Sequence, residues 1–336
     1  PMAERALLVA AGGGIGDTLL ATVVAQALRS RFASVDALVL PAHRGVVERT
    51  PAIDRVHLFL GSALAVGAGL RPERYAASVT TWATAATAFA PFAAGIPLRV
   101  GQARRLYSGL FSRRVVVRSE LGDRTTPWTE ILLDYARALG CDLPDPQPRF
   151  VPTAGDRAEA AALLRGHASG PPYLLLHPTR GLSAHRERWP GGGFVRLARA
   201  LRERAPVLVT GSEQDAHLGR EIAEAAGAGV TSIAGATSLG GFGALAAGAL
   251  GVVAMDSGPM HLAAAVGAPT AGIFALQSDE PDRWAPRGPR VAVVRASYPC
   301  PPSHRKETCP DFACVRELDV NAILQALDRA SAAPRA

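Results

Sequence analysis

A run of glycines, Gly12-Gly13-Gly14-Ile15-Gly16, ends in a carboxylate, Asp17, directly after an apolar segment and at the opening of a helical pattern. A dinucleotide fingerprint needs glycines at i, i+2 and i+5. Counted from Gly12 the last position is Asp17, and counts from Gly13 and Gly14 fail as well. A phosphate-cradling loop is disfavoured too, because a carboxylate at the helix N-terminus stands where the anion would bind. The positive end of the helix dipole stabilises ionised Asp17, so a carboxylate on a glycine turn suits a general base. Simple capping of the helix by Asp17 is the alternative that the spacing leaves open.

A second group of residues is Met255-Asp256-Ser257-Gly258-Pro259-Met260-His261. Polar residues at a strand end, a glycine and a first-turn proline make a helix start whose free backbone N–H groups suit a phosphate. His261 falls in that first turn, in reach of whatever the turn binds; a capped helix with a surface histidine is the alternative. The third group runs from His177-Pro178-Thr179-Arg180 to His185-Arg186-Glu187-Arg188-Trp189-Pro190. A hydroxyl followed by several cationic or titratable side chains after a strand forms an anion clamp, or else a solvated basic loop.

The elements that must position these groups alternate. Ala6 to Ala10, Val35 to Leu40, Val56 to Leu60 and Ala76 to Thr80 read as strands, with helices expected over Asp17 to Phe32 and Trp128 to Leu139. A proline-rich break, Leu143 to Pro148 with Pro152 behind it, precedes a second series. There, strands are expected at Tyr173 to His177, Pro206 to Thr210, Val252 to Met255 and Thr270 to Phe274. Helices are expected over Phe194 to Arg204, Ala216 to Ala226, Pro259 to Val266 and Val320 to Ala330. This is an α/β pattern with mainly parallel sheets, whose ligands bind at the carboxyl ends of strands. The reading divides the chain into a first Rossmann-like domain, 1–150, and a second, 151–318. A C-terminal helix in 319–336 is expected to cross back to the first domain.

The 336 residues exceed one small core, and a 48% hydrophobic, 19% charged composition excludes a peptide, a toxin scaffold and general disorder. The formal charge of +7 is carried almost wholly by arginine, since Lys306 is the sole lysine, so Walker-type and Schiff-base chemistry lack a donor in the right setting. A GC-rich coding bias is one reading of the arginine excess and nucleic-acid binding is the other. No zinc finger, basic helix or aromatic RNA motif is present, and no nucleic-acid partner is expected. The N-terminus enters the first strand without a signal-peptide pattern, which leads to a cytoplasmic expectation. The uncharged stretch Ala76 to Leu98 is long enough to span a bilayer. It is alanine- and threonine-rich and holds Pro91, Gly95 and Pro97, so a strand followed by a buried helix is expected. Cys300, Cys309 and Cys314, with His304 nearby, could ligate zinc, but their spacing is not a standard ligand pattern; reduced thiols in a packed segment are the alternative.

Taken in order, these segments resemble glycosyltransferase family 9, the bacterial heptosyltransferases. The resemblance rests on Gly16-Asp17-Thr18-Leu19-Leu20-Ala21-Thr22, Trp189-Pro190, Thr210-Gly211-Ser212-Glu213, Gly235-Ala236-Thr237-Ser238-Leu239 and, most specifically, Asp256-Ser257-Gly258-Pro259-Met260-His261-Leu262-Ala263-Ala264-Ala265. It implies a GT-B fold, two facing Rossmann-like doubly wound domains with an interdomain cleft. It further implies inverting, metal-independent transfer of a sugar, heptose from ADP-heptose, to a glycan or glycolipid hydroxyl. Asp17 would be the general base, with Gly14, Gly16 and Thr18 in the acceptor-side loop. Thr179, Arg186, Arg188, Glu213, Asp256, Ser257, Gly258, Met260 and His261 would bind the donor, Glu213 facing the ribose unless it merely caps. No Asp-x-Asp pair stands in a suitable loop, so no metal is expected, and no cofactor beyond the nucleotide sugar. Lipid-linked acceptors and surface arginines lead to an expectation of peripheral contact with an anionic membrane. One departure is Glu187, where the family commonly has lysine; a glutamate beside a phosphate is unfavourable. Two further readings stay open: a nucleotide-sugar epimerase or hydrolase of the same build, and a catalytically silent nucleotide-sugar binding protein.

Overall fold

The structure is a computed structural model and describes residues 4–167, 171–178, 189, 192–276, 280–299, 301, 309 and 312–334. The chain divides into two compact units, Pro1–Val151 and Pro152–Ala336. In the first, β1 (Arg5–Ala10), β2 (Ser34–Val39), β3 (Val56–Leu58), β4 (Ala77–Thr80), β5 (Leu98–Gln102) and β6 (Arg113–Val115) form a parallel sheet in the order β3-β2-β1-β4-β5-β6. In the second, β7 (Leu174–His177), β8 (Val207–Val209), β9 (Val230–Ser232), β10 (Gly251–Met255), β11 (Thr270–Phe274) and β12 (Val291–Arg295) run in the order β12-β11-β10-β7-β8-β9. Each sheet starts at a central strand, winds outward to one edge, and returns to wind the other way. The winding reverses between β1 and β4 in one unit and between β7 and β10 in the other. In open α/β sheets ligands bind beyond the carboxyl ends of the strands at such a reversal.

The most buried strands read as apolar runs because helices cover both faces of a parallel sheet. β10 and β11 are buried along their whole length, and β1 is buried from its second residue. Helix Gly193–Arg202 shows the complementary pattern: Phe194, Leu197, Ala198 and Leu201 are buried at helical spacing, while arginines fill the positions between them. The first helix runs over Ile15–Leu28, earlier at both ends than its apolar pattern suggests. It begins before Asp17 because Gly14, not Asp17, is the N-cap.

The C-terminal helix, Val320–Ala332, was expected to support the first domain; it packs instead within the second unit. Ile323, Ala326, Leu327 and Ala330 face inward, and Ile323, Ala326 and Leu327 belong to the second unit's core, with Trp189, Leu197 and Val253. Its contacts are with β10, β11, β12 and helix Gly193–Arg202. Gly251 carries no side chain where Leu327 seats, since a Cβ there would lie 2.6 Å from Leu327 Cδ1. The segment Ala76 to Leu98 forms β4 and helix Ala85–Ala93, and no helix among the described residues is long and apolar enough to cross a membrane.

Candidate active site

In the first unit the loops after β1 and β4 meet at the reversal point. Gly12 lies so close to the second loop that a Cβ on it would stand 2.2 Å from the Trp82 carbonyl oxygen. Gly13 is in the left-handed region at φ +71°, and a Cβ there would stand 2.5 Å from Asp17 Oδ2. The two glycines thus serve separate ends: one lets the loops approach, the other makes room for the carboxylate.

Asp17 is the third residue of helix Ile15–Leu28, and its Oδ2 accepts the Gly14 N–H at 2.7 Å. The capping alternative is therefore realised, but it uses one oxygen. Among the described residues no hydrogen bond reaches Oδ1. Burial pushes the carboxyl above its ordinary value, with the Gly14 N–H and the nearby His43 only partly offsetting this. The arrangement is that of a half-buried carboxylate, more basic than a solvated one, tethered at one oxygen and open at the other.

Sequence reasoning missed His43. It ends a short 3-10 turn, Pro41–His43, that follows β2, and it is buried. Its Nδ1 lies 2.8 Å from Thr18 Oγ1, which is 3.3 Å from the Ala10 carbonyl oxygen. Burial holds the imidazole below its ordinary pKa despite the neighbouring Asp17 charge, so it is neutral at pH 7. Thr18 is thereby a buried tie between β1, the helix and the β2 turn, and its hydroxyl does not face solvent. Gly14 contributes its backbone N–H to Asp17.

In the second unit the strand ends after β7 and β10 carry the other group. Ser257 is the N-cap of helix Gly258–Ala265, yet its hydroxyl donates back to the Met255 carbonyl at 2.8 Å and no side chain caps the helix. The amides of Gly258 and Met260 are left with the positive end of the helix. His261 is 7% exposed, and its Nδ1 is buried with no partner among the described residues. Burial depresses its pKa to about 4, so at neutral pH it is a neutral imidazole and not a cation. Met260 is placed otherwise than a donor-binding side chain: it is fully buried, with its sulfur occupying the space a Cβ on Gly272 would need. Only its backbone amide can face a ligand. The Asp256 N–H donates to the Ile273 carbonyl at 3.0 Å, which fixes the strand end.

Glu213 opens the turn Glu213–Asp215, exposed and without a bonded partner among the described residues. Capping there falls to Asp215, whose Oδ2 accepts from the Ser212 amide at 2.8 Å and the Ser212 hydroxyl at 2.6 Å. His177, at the end of β7, is a buried neutral histidine with Nδ1 3.0 Å from Thr210 Oγ1 and its ring edge-on to Phe242. Burial lowers its pKa to about 4. Thr179, Arg186, Glu187 and Arg188 lie outside the described residues, as do Cys300 and His304. Cys309 and Cys314 are buried free thiols, and no group of metal-ligating side chains occurs among the described residues.

The two sheets with their paired reversal points have close counterparts. The structure of E. coli ADP-heptose lps heptosyltransferase II superposes with a TM-score of 0.80 at 21% identity, covering 97% of this chain and 98% of that one. The glycosyl transferase family 9 structure from Veillonella parvula superposes at 0.83 and 16% identity, covering 98% and 97%. These likenesses establish the α/β, GT-B fold. In sequence, lipopolysaccharide heptosyltransferase 2 of Escherichia coli K12 is 26% identical over 309 residues, 86% of this chain and 87% of the relative. Residues 63–311 match glycosyltransferase family 9 (heptosyltransferase), and with the glycine–aspartate turn in one unit and the uncapped helix start in the other, the chain belongs to that family of glycosyltransferases.

Proposed function

We propose that the protein transfers heptose from ADP-heptose to a hydroxyl of a lipopolysaccharide core glycan, with inversion and without a metal. The solved relative is named for ADP-heptose and lipopolysaccharide, and the sequence relative for lipopolysaccharide. The observation that carries the reading is Asp17, tethered through Oδ2 and open at Oδ1 at the reversal point of the first sheet. Oδ1 takes the proton of the acceptor hydroxyl as its oxygen attacks the anomeric carbon. The bond from that carbon to the β-phosphate oxygen breaks, and ADP leaves with the bonding electron pair. One displacement at one face inverts the anomeric configuration.

The leaving diphosphate gathers charge as that bond breaks, and donors aimed at it lower the barrier. The Gly258 and Met260 amides at the uncapped helix start supply such donors, and neutral His261 supplies an N–H. Thr179, Arg186 and Arg188 complete the clamp in this reading. Glu213, relieved of capping, hydrogen-bonds the ribose, and Asp256 and Ser257 shape the turn. An acceptor carried by lipid places the work at the cytoplasmic surface of a membrane, where surface arginines meet an anionic leaflet.

The test is incubation with ADP-heptose and a de-acylated lipopolysaccharide core oligosaccharide. Expected are acceptor-dependent ADP release, an inverted anomeric linkage by NMR, and unchanged rates in EDTA. ADP release that ignores the acceptor, or a retained configuration, overturns the reading.

A further inference from the structure

Trp82 stands two residues beyond the carboxyl end of β4, in the loop that Gly12 abuts. It is half-buried and holds φ at +47°, a left-handed backbone that bulky side chains rarely adopt. Its ring stacks on that of Trp128, the first residue of helix Trp128–Arg137, with centroids 5.0 Å apart and planes tilted by 32°. The loop is braced on every side. The Trp82 carbonyl presses against Gly12, and the Tyr107 hydroxyl donates to the next carbonyl, that of Ala83. That hydroxyl in turn accepts from Gln102 Nε2 at 2.7 Å. Thr84 and Thr87 cap helix Ala85–Ala93 reciprocally, at 2.8 and 3.2 Å. The indole N–H of Trp82 is nonetheless buried with no acceptor among the described residues.

Core packing alone does not account for this combination. A ring that only fills the core can keep an ordinary backbone, whereas Trp82 does not. Unusual backbone at a strand end, in a braced loop whose ring is stacked on a second indole beside the reversal point that holds Asp17, marks a contact surface set before its ligand arrives. The chemistry of that surface is specific. An aromatic face is electron-rich, and the C–H groups on one side of a pyranose ring present positive edges to it. A tryptophan makes this contact while losing the freedom of only two side-chain torsions.

We propose that Trp82, backed by Trp128, is the platform on which a pyranose ring of the acceptor glycan stacks. This rests on the transferase reading above and names the acceptor contact that reading leaves open. The saccharide is thus recognised by its ring face, apart from any charge it carries.

The test uses the full chain, ADP-heptose and the de-acylated core oligosaccharide. Trp82→Ala should raise the acceptor KM about tenfold with the donor KM unmoved, and Trp82→Phe, which keeps a ring face, should recover most of the loss. ADP-dependent thermal stabilisation of each variant confirms that it is folded. The stacked indoles also give a coupled near-ultraviolet circular dichroism signal, which the oligosaccharide should change in the parent protein at saturating concentration. Should Trp82→Ala fail to fold, Trp128→Phe and the dichroism titration decide. An acceptor KM within twofold of the parent in a folded Trp82→Ala, or a dichroism signal indifferent to the oligosaccharide, overturns the proposal. Failure of the transferase reading shows separately, as loss of acceptor-dependent ADP release in the parent protein.

Discussion

In the proposed reaction Asp17 divides two demands between its two oxygens: Oδ2 holds the Gly14 N–H, and Oδ1 takes the substrate proton. Asp17→Asn keeps an oxygen for the Gly14 N–H and removes the basic site, so it separates the structural role from the chemical one. We expect kcat to fall by about 10²–10⁴ with ADP affinity nearly unchanged, as for loss of a general base. A variant retaining most of its rate would remove Asp17 from the reaction. The pH dependence follows from the raised pKa. Only the ionised form accepts a proton, so kcat should fall as pH drops through a value above the ordinary aspartate range, and an acid limb at or below that range would contradict the burial. In the proposed reaction His261 acts by hydrogen bonding, its charge being suppressed. His261→Ala should weaken ADP binding about tenfold by calorimetry, the order for one hydrogen bond to an anion, and an unchanged Kd would place it outside the site.

At the scale of elements, the first sheet is tied near the amino ends of its strands by a buried carboxylate. Asp36 in β2 is fully buried and bonds Arg5 of β1 at 2.5 Å and the Tyr75 hydroxyl at 2.6 Å, with His57 of β3 at 3.8 Å. Burial alone would push its pKa up, but His57, Tyr75 and Arg5 together hold it below the ordinary value. Removing Asp36 strands the buried Tyr75 hydroxyl, while Arg5 keeps Glu73 as a second carboxylate. Asp36→Ala should cost about 1–3 kcal/mol in denaturant unfolding, the order for an unsatisfied buried polar group, and no measurable loss would mean that solvent takes over the partners. Nothing in the sequence announces this network, because Arg5, Asp36, His57 and Tyr75 come from four separate segments. The long central strands were legible for the opposite reason. β10 is apolar throughout, and β1 and β11 are apolar after their first residues, Arg5 and Thr270, whereas β6 and β9 are three residues each and β5 interleaves Arg99 and Gln102 with its apolar residues. Asp17 and the Ser257 turn could be found because their geometry is local. His43 could not, since its partner Thr18 lies 25 residues away and the pairing exists only once β2 docks on β1.

For the molecule as a whole, one fold used twice puts buried histidines at strand ends in both units: His43 in the first, His177 and His261 in the second. Burial lowers the pKa of all three, the latter two to about 4. The unfolded chain, with histidines near the ordinary 6.5, therefore binds more protons than the folded one as pH falls below that value. Stability is fully present above about pH 6.5 and is lost progressively toward pH 4, by roughly 3 kcal/mol for each of the two more strongly shifted groups. Asp36 acts only at lower pH, because its folded pKa is depressed below the ordinary carboxylate value. The second unit, which holds both of the strongly shifted histidines, should thus weaken first on acidification. Denaturant unfolding between pH 7 and 4.5, followed by amide hydrogen exchange in the second unit, should show the falling midpoint, and His261→Asn should flatten the slope by about half. A midpoint constant across that range in the parent protein would mean that water reaches both rings.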